Sequence, residues 1–373
     1  LVLLDAGTQL DVDRTFEEVR KWRPDTPLVA AIFSHHHVDH IFATKRFEEE
    51  ALEKGWSQPV VYAHKLMPQH FDRYIKTRGW NTAINKRQFA INLPTFQWPD
   101  HFRYPDVTYE KQLTFTRGDL TFELHYGRGE TDDHTWTYIP ERKILVPGDL
   151  FIWAVPNGGN PQKVQRYVSD WADALDEMAG KGAELMIPGH GFPIFGAERV
   201  HEALTVTAGF IRDIEDQTVA MMNKGWSLDQ VFHSVTFDET LMEKPYLRPV
   251  YDDPRFLIRM IWRRYGGWWD GEYDNLLPEP KARQATEWIE LAGGVESVLA
   301  RALQLLQNDE AALACHLVEM AYHASPDSAR VHEVRAEIYQ GNSALQTSSM
   351  ARNILNHAAL ASAEGKRDLA SSD

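Results

Sequence analysis

The sequence predicts an α/β layered fold over about its first 200 residues, followed by a region built from helices. In the first part, short apolar runs typical of strands alternate with segments in which apolar residues recur at helical spacing. Residue types that carry chemistry gather where the predicted strands end, and α/β folds build their sites there. The length of 373 residues suits one large and one smaller domain, which we place at residues 1–240 and 241–373.

The predicted strands and helices follow one another along the chain. We expect strands at 1–4, 28–33, 59–63, 120–126, 135–139, 143–146 and 184–187. Helical spacing predicts helices at 15–22, about 41–54, 161–180, 281–292, 295–307, 309–323, 327–339 and 343–362. The stretch from about 65 to 118 shows no clear periodicity. Within it, the aromatic-rich segment 80–104 suggests either an apolar wall beside a substrate or a lid packed on the core.

Composition excludes several kinds of partner. The net charge of −15 argues against nucleic acid or an anionic membrane as the main partner. An anionic small substrate still fits, because a metal site inverts the local field. No apolar run approaches the roughly 20 residues of a membrane span, so none is expected.

The single cysteine, Cys315, excludes internal disulfides and a cysteine metal site, and its apolar helical surroundings predict a buried structural thiol. One cysteine suits a reducing compartment, so we expect a cytoplasmic location. The chain opens inside the predicted strand at 1–4 without an initiator methionine. We therefore expect that further N-terminal strands precede it, and a signal peptide upstream stays open.

The densest chemical cluster is Ser34-His35-His36-His37-Val38-Asp39-His40, directly after a predicted buried strand. Buried imidazoles need partners for their nitrogens, and neutral imidazole with carboxylate suits Zn, Mn or Fe. In a tight turn, His35 and His37 can point to one side while Asp39 and His40 point to another. The cluster therefore predicts two adjacent metal ions, and the alternative is a run of surface histidines.

Three further strand ends each contribute one candidate ligand. His134 precedes a predicted strand, Asp149 follows Gly148, and His190 lies between two glycines at the last strand end of this region. Each alone is more often a structural or surface residue. Together they extend the cluster, and the flanking glycines permit sharp turns and close backbone approach.

The order of these motifs resembles the metallo-β-lactamase superfamily. The family motif [ST]-H-x-H-x-D-H is matched by Ser34, His35, His37, Asp39 and His40, and Pro-Gly-Asp and Pro-Gly-His-Gly segments follow at 147–149 and 188–191. Asp5-Ala6-Gly7 is similar to the D-[TS]-G that ends an early family strand. The resemblance covers about residues 1–200 and implies an αβ/βα sandwich with a dinuclear metal site at one edge.

The resemblance also implies roles for individual residues and a reaction. The first metal would be held by His35, His37 and His134, the second by Asp39, His40 and His190, with Asp149 bridging both. His36 stands at the variable position and receives no metal. Two divalent ions, which we expect to be zinc with Mn or Fe as alternatives, would generate a bridging hydroxide for hydrolysis. Asp39 is the catalytic candidate that orients this nucleophile.

The second part resembles the dimerisation domain of alkyl sulfatases over about residues 241–365. Two segments carry the resemblance, Tyr265-Gly266-Gly267-Trp268-Trp269-Asp270-Gly271 and Trp288-Ile289-Glu290-Leu291-Ala292-Gly293-Gly294. Its Ala-rich helical hairpins also have a tetratricopeptide-like pattern. The resemblance implies a homodimer formed through this all-α domain.

The expected function is hydrolysis of an amphiphilic anionic ester by an alkyl-sulfatase-like enzyme. One departure keeps lactonase, thioesterase, phosphodiesterase and β-lactamase-like hydrolysis open: alkyl sulfatases place Glu where we align His134 and Asp149. A non-catalytic metal-bound scaffold is a further alternative. Candidate substrate contacts are Asn157, Lys163 and Arg166, since a cation there can meet a sulfate, phosphate or carboxylate.

Overall fold

The structure is a computed structural model that describes residues 1–370, and two β-sheets form its centre. In these residues the first sheet has the order β1-β2-β3-β4 with all neighbours parallel: β1 (Val2–Leu4), β2 (Ala30–Ile32), β3 (Val60–His64) and β4 (Val107–Tyr109). The second sheet has the order β10-β9-β8-β7-β6-β5: β5 (Gln112–Arg117), β6 (Leu120–Tyr126), β7 (Thr135–Ile139), β8 (Ile144–Ile152), β9 (Leu185–His190) and β10 (Ile194–Phe195). Its β8–β9 pair is parallel and its other pairs are antiparallel.

Helices separate the strands and then continue alone to the end of the described chain. The first nine are α1 (Val12–Trp22), α2 (Thr44–Lys54), α3 (Met67–Lys76), α4 (Arg78–Gln88), α5 (Val168–Ala179), α6 (Ala197–Met222), α7 (Leu228–Phe232), α8 (Glu239–Met242) and α9 (Pro254–Gly266). The last five are α10 (Lys281–Leu291), α11 (Val295–Gln307), α12 (Ala311–Ala324), α13 (Ala329–Ala344) and α14 (Ser349–Ala363).

The two sheets face each other through a shared apolar layer, in which Ile32 and Tyr62 of the first sheet contact Phe122, Leu124 and Ile139 of the second. The outer face of each sheet is covered by helices. Residues of α2 and α3 pack on the first sheet, and residues of α5, α6 and α9 pack on the second. This arrangement confirms the predicted αβ/βα sandwich followed by a helical region.

The helix predicted at 161–180 begins later, at Val168. The amide of Tyr167 donates to Gly129 O at 2.9 Å, outside any helix, and the Arg166 side chain is drawn inward to Glu130. These tertiary contacts hold residues 161–167 in an irregular conformation beside the site. The stretch that showed no periodicity contains α3, α4, β4 and β5.

The C-terminal helices have a core of their own, to which α10, α11, α12 and α13 contribute. Cys315 is buried in that core, as predicted, and its Sγ accepts a hydrogen bond from Asn342 Nδ2 at 3.3 Å. Helix α9, however, packs in the same core as α6. The domain boundary at 240/241 therefore stays a prediction. Among residues 1–370, no helix is both long and apolar enough to cross a bilayer.

The last helix, α14, lies against α4 of the sandwich. Asn353 Nδ2 donates to Gln88 O at 2.9 Å, and the Arg87 guanidinium pairs with Asp368 at 2.6 Å. Gln88 also donates to the hydroxyl of Tyr251 at 2.8 Å. The C-terminal end of the described chain is therefore joined to the sandwich by polar contacts at the end of α4.

Candidate metal centre

Four chain segments bring their polar residues to one edge of the sandwich. The loop after β2 carries His35 to His40, the loop between β6 and β7 carries Glu130, β8 carries Asp149, and β9 ends at His190. Strand β8 runs through Asp149 instead of ending at 146, with register irregularities on either side of Gly148. Gly148 has φ of +57°, which favours glycine, and the irregularity turns the Asp149 side chain into the cluster.

The first group of potential ligand atoms comes from His35, His37, Glu130 and Asp149, all within 4.8 Å of one another. Glu130 Oε2 lies 3.5 Å from His35 Nε2 and 3.6 Å from His37 Nδ1. The two histidine nitrogens are 2.8 Å apart. Two imidazole nitrogens and carboxylate oxygens that converge in this way form a donor set that suits a divalent ion.

The second group comes from Asp39, His40 and His190. His190 Nε2 lies 3.2 Å from Asp39 Oδ2, and His40 Nε2 lies 3.6 Å from the same oxygen. Asp149 reaches this group as well, with its oxygens 3.5 Å from His40 Nε2 and 3.4 Å from His190 Nε2. Asp149 therefore lies between the two groups, where a bridging carboxylate was expected.

Glu130 takes the place in the first group that the sequence analysis gave to His134. The His134 ring turns its Nε2 to Pro147 O, 3.1 Å away, and stacks on His35 with ring centroids 4.5 Å apart. It belongs to neither group of potential ligands within residues 1–370. The ligand set stays a prediction, in which this geometry favours Glu130 over His134 for the first ion. A clue was available, because the alkyl sulfatases were expected to carry Glu here and Glu130 lies four residues before His134.

The unpaired atoms of the site test whether these residues fit divalent ions. Glu130 Oε2, Asp149 Oδ1 and His40 Nε2 are buried and have no hydrogen-bond partner among the described residues. Buried polar atoms are normally satisfied, so three such atoms converging on one place need a cation or a donor there. The residues present fit a pair of divalent ions.

The protonation states of the ligands agree with this fit. Burial lowers the pKa of both His35 and His37 well below the usual histidine value, so their rings are neutral and can donate an electron pair. Burial raises the pKa of Glu130 to about 7, although the nearby Arg166 opposes the shift. Hydrogen bonds to Asp149 and Asp39 raise the pKa of His190 to about 10. A bound cation would favour the ionised form of Glu130 and would take the place of the proton that His190 otherwise carries between the two carboxylates.

A second set of side chains orients the ligands. Asp5 Oδ2 lies 2.8 Å from His40 Nδ1 and accepts from Ser34 Oγ at 2.8 Å. Ser34 Oγ in turn lies 2.9 Å from His35 Nδ1. Such outer partners fix the ring orientation and tautomer of metal-bound histidines. The sequence analysis identified Asp5 as part of a motif but gave it no role in the site.

Two of the three predicted substrate contacts serve Glu130 instead. Asn157 Nδ2 donates to Glu130 Oε1 at 2.6 Å, and Arg166 Nη1 lies 2.6 Å from the same oxygen. Arg166 Nη1 also donates to Asn157 O at 3.1 Å. These contacts hold Oε1 and leave Oε2 directed at the histidines. Asn157 and Arg166 therefore position Glu130.

A cavity of about 360 Å³ opens beside the first group and shares His37 and Glu130 with it. Its lining combines cations with an apolar wall: Arg73, Lys163, Arg166, Arg263, Tyr74, Trp80, Ile84 and Val164. The third predicted substrate contact, Lys163, therefore faces this space. Burial lowers the pKa of Lys163 to about 7. The cavity suits a molecule with an anionic group and an apolar body.

Comparisons with known proteins find similarity to alkylsulfatases. The sequence model described as Alkyl sulfatase dimerisation matches residues 227–365. A linear primary-alkylsulfatase of Pseudomonas sp. (strain ATCC 19151) is 27% identical over 91% of this chain and 68% of its own. An (R)-specific secondary-alkylsulfatase of Pseudomonas sp. is 24% identical over 90% of this chain and 54% of its own. The chain thus spans between about half and two thirds of these relatives.

The solved structure of the stereoselective inverting sec-alkylsulfatase Pisa1 from Pseudomonas sp. has the same fold. It superimposes with a TM-score of 0.88 at 22% identity, over 98% of this chain and 61% of that one. The model of the Metallo-beta-lactamase superfamily matches residues 1–190, half of the chain. With the two-sheet sandwich and the ligands at its edge, this match shows that the chain belongs to the metallo-β-lactamase superfamily.

Proposed function

We propose that this chain is a metal-dependent hydrolase of sulfate esters that acts on amphiphilic alkyl sulfates. One observation carries the proposal: in a chain of net charge −15, the cavity beside the candidate ligands collects four cationic side chains and an apolar wall. A sulfate ester on an alkyl chain presents the complementary pair of features. The alkylsulfatase relatives support the same substrate class.

The residues that would hold the ions are His35, His37 and Glu130 for one and Asp39, His40 and His190 for the other, with Asp149 between them. A pair of divalent ions, when bound, lowers the pKa of water and stabilises developing negative charge. We propose zinc, because neutral imidazole and carboxylate make a common zinc donor set.

The chain's own side chains supply binding and orientation. Asp39 lies at the edge of the site, 3.2 Å from His190, with an oxygen that can accept a hydrogen bond from the attacking water and so orient it. The positive charge of the cavity attracts the sulfate group, and the wall formed by Tyr74, Trp80, Ile84 and Val164 excludes water from the alkyl chain. Hydrolysis splits the ester and water into an alcohol, a sulfate ion and a proton.

We also propose a homodimer through the C-terminal helices. The region matched by the dimerisation model carries large apolar side chains that are mostly exposed in the single chain: Trp268, Tyr273, Leu277, Trp288 and Leu291. Large exposed apolar side chains, aromatic ones above all, are enriched in subunit interfaces.

A substrate panel at fixed metal content tests the function. The metal-loaded chain is expected to hydrolyse dodecyl sulfate well above the matched alkyl phosphate, lactone and thioester. About two ions per chain are expected by metal analysis, with a marked loss in His35→Ala and His190→Ala. Well under one ion per chain, unaffected by either substitution, would refute the metal centre. Preference for a lactone, thioester or phosphate ester would replace the proposed substrate class.

A further inference from the structure

The histidine at the variable position of the ligand loop, His36, belongs to a hydrogen-bonded chain that leads into the cavity. Its Nδ1 lies 2.8 Å from Asp133 Oδ1, and its backbone amide donates to Asp133 Oδ2 at 3.1 Å. Its Nε2 lies 3.0 Å from Nη2 of Arg73 on α3. His36 is buried, and His70 stacks on it with ring centroids 4.2 Å apart.

The direction of these hydrogen bonds follows from the chemistry of the guanidinium group. Arginine can only donate, so His36 Nε2 accepts from Arg73 and carries no proton. The ring proton is therefore on Nδ1 and is donated to the Asp133 carboxylate. These hydrogen bonds occupy both ring nitrogens of His36. Although His36 lies close to His70 and Asp133, it therefore has no free nitrogen for a metal ion. Asp133 orients His36, and His36 orients Arg73.

Arg73 reaches the cavity with its charge unneutralised. It lines the cavity, and no carboxylate pairs with it in the described part of the chain. Its Nε is buried without a hydrogen-bond partner among residues 1–370, and its Cζ lies 5.0 Å from the centre of the Tyr74 ring. A partly desolvated cation with unused donors is a favourable partner for an oxyanion.

The other three cations of the cavity are less suited to this role. Arg166 is already paired with Glu130 at 2.6 Å. Lys163 has a pKa lowered to about 7 by burial, so its charge is incomplete at neutral pH. Arg263 is exposed, and a solvated cation contributes little. Among the four, Arg73 is sheltered, is oriented by His36 and keeps its full charge without a counter-ion in the described chain. Lys163 is also oriented, by Asn85, but its charge is incomplete.

We infer that Arg73, held by His36 and Asp133, is the specificity-determining residue that binds the anionic group of the substrate. This inference rests on the proposed function and names the residue that selects a sulfate ester over a neutral ester. Because the cavity shares His37 and Glu130 with the candidate metal centre, an anion held by Arg73 lies beside the reacting bond. His36 and Asp133 act as positioning residues, since they reach the substrate only through Arg73.

The first test compares Arg73→Gln with Lys76→Gln in the metal-loaded full chain. Lys76 lies three residues later on α3, is exposed, and does not line the cavity. Binding of inorganic sulfate is measured by calorimetry, and hydrolysis of dodecyl sulfate by steady-state kinetics. Loss of a charged hydrogen bond predicts an affinity for sulfate that is about 10- to 100-fold weaker in Arg73→Gln. KM is expected to rise similarly, kcat to change less, and Lys76→Gln to behave as the parent.

The second test separates positioning from simple packing at His36. His36→Gln places an amide oxygen where Nε2 accepts from Arg73, whereas His36→Asn keeps only a donor toward Asp133. We expect KM within about threefold of the parent for Gln and a rise of about tenfold for Asn, with equal metal content in both. A purely structural histidine would make the two variants equally impaired, and that result would overturn the positioning role.

The outcomes distinguish this inference from the proposed function. If the parent hydrolyses dodecyl sulfate and Arg73→Gln changes neither KM nor sulfate affinity, Arg73 is not the anion-binding residue and the function stands. If the parent hydrolyses no sulfate ester but its affinity for sulfate depends on Arg73, the proposed hydrolysis of sulfate esters is wrong and the anion-binding role of Arg73 is supported. If the parent neither hydrolyses sulfate esters nor binds sulfate, both are overturned.

Discussion

Replacing Arg166 by methionine tests whether Glu130, its partner in a buried ion pair, is also a metal ligand. Arg166 and Glu130 are each about 2% exposed, and Arg166 Nη1 lies 2.6 Å from Glu130 Oε1. The other carboxylate oxygen has no hydrogen-bond partner among the described residues and faces His35 and His37. The effect of Arg166→Met should therefore depend on whether a divalent ion compensates that second oxygen.

The free energy of unfolding that Arg166→Met loses in the absence of metal follows from the burial of the Arg166–Glu130 ion pair. Removing one partner of a buried ion pair costs about 3–5 kcal/mol. We expect about 3 kcal/mol, the lower end of that range, because burial already raises the pKa of Glu130 to about 7 and protonation relieves its charge. For a domain of about 150–250 residues, 3 kcal/mol lowers the melting temperature by about 6–12 °C. With saturating metal the loss should fall to about 1–2 kcal/mol, mainly that of the lost hydrogen bonds.

Thermal unfolding of parent and variant, each at the same free metal concentration, measures both losses. Arg212→Met is the matched control, because Arg212 pairs with Asp173 and Asp176 at the surface. It should cost about 1 kcal/mol or less with and without metal. Adding Glu130→Gln to Arg166→Met should restore part of the stability without metal, since no unpaired carboxylate then remains buried.

Equal losses with and without metal would refute the reasoning. They would mean that Glu130 gains no compensation when metal binds, so that it is not a ligand. His134 would then return as the candidate for the first ion.

Three further perturbations test the cavity, the site backbone and the subunit contact. As pH rises from 6 to 9, Lys163, whose pKa is about 7, loses its positive charge; KM for dodecyl sulfate should rise about tenfold in the parent and stay flatter in Lys163→Arg. Gly189→Ala places a Cβ 2.0 Å from Asp149 Oδ1, so kcat should fall about 100-fold, whereas Gly209→Ala, with no atom within 4 Å, should keep full activity. Leu277→Glu should convert a dimer to a monomer in light scattering, while Leu10→Glu, on an equally exposed residue outside the matched dimerisation region, should not; an unchanged mass would contradict the proposed interface.

Most strands of the sandwich could be predicted because runs of apolar residues mark them in the sequence. The run from Ser34 to His40 follows a strand whose residues are apolar throughout, and such strands are buried on both faces. The parallel pair β8 and β9 brings Asp149 and His190 to one edge of the second sheet, and the loop after β2 of the first sheet places His35 beside them. The helical region was predicted for the same reason, since its apolar residues recur every three to four positions.

The partners of the loop residues could not be predicted in this way. The loop between β6 and β7 contains both Glu130 and His134, and only packing decides which one faces the histidines. A Cβ at Gly129 would lie 2.6 Å from Leu150, so this loop fits tightly against β8. The later start of α5 has a similar cause. Arg166 pairs with Glu130, which lies far earlier in the sequence, and the spacing of apolar residues cannot predict such a contact.

The contact between α14 and α4 means that the cavity is a property of the whole described chain. Trp80, Asn81 and Ile84 of α4 line the cavity, and the end of the same helix is held by Asn353 and Asp368. A protein shortened to the sandwich would keep every candidate ligand and lose the support of this wall. Asn353 and Asp368, which lie more than 250 positions after the wall in sequence, therefore help to set the shape of the cavity.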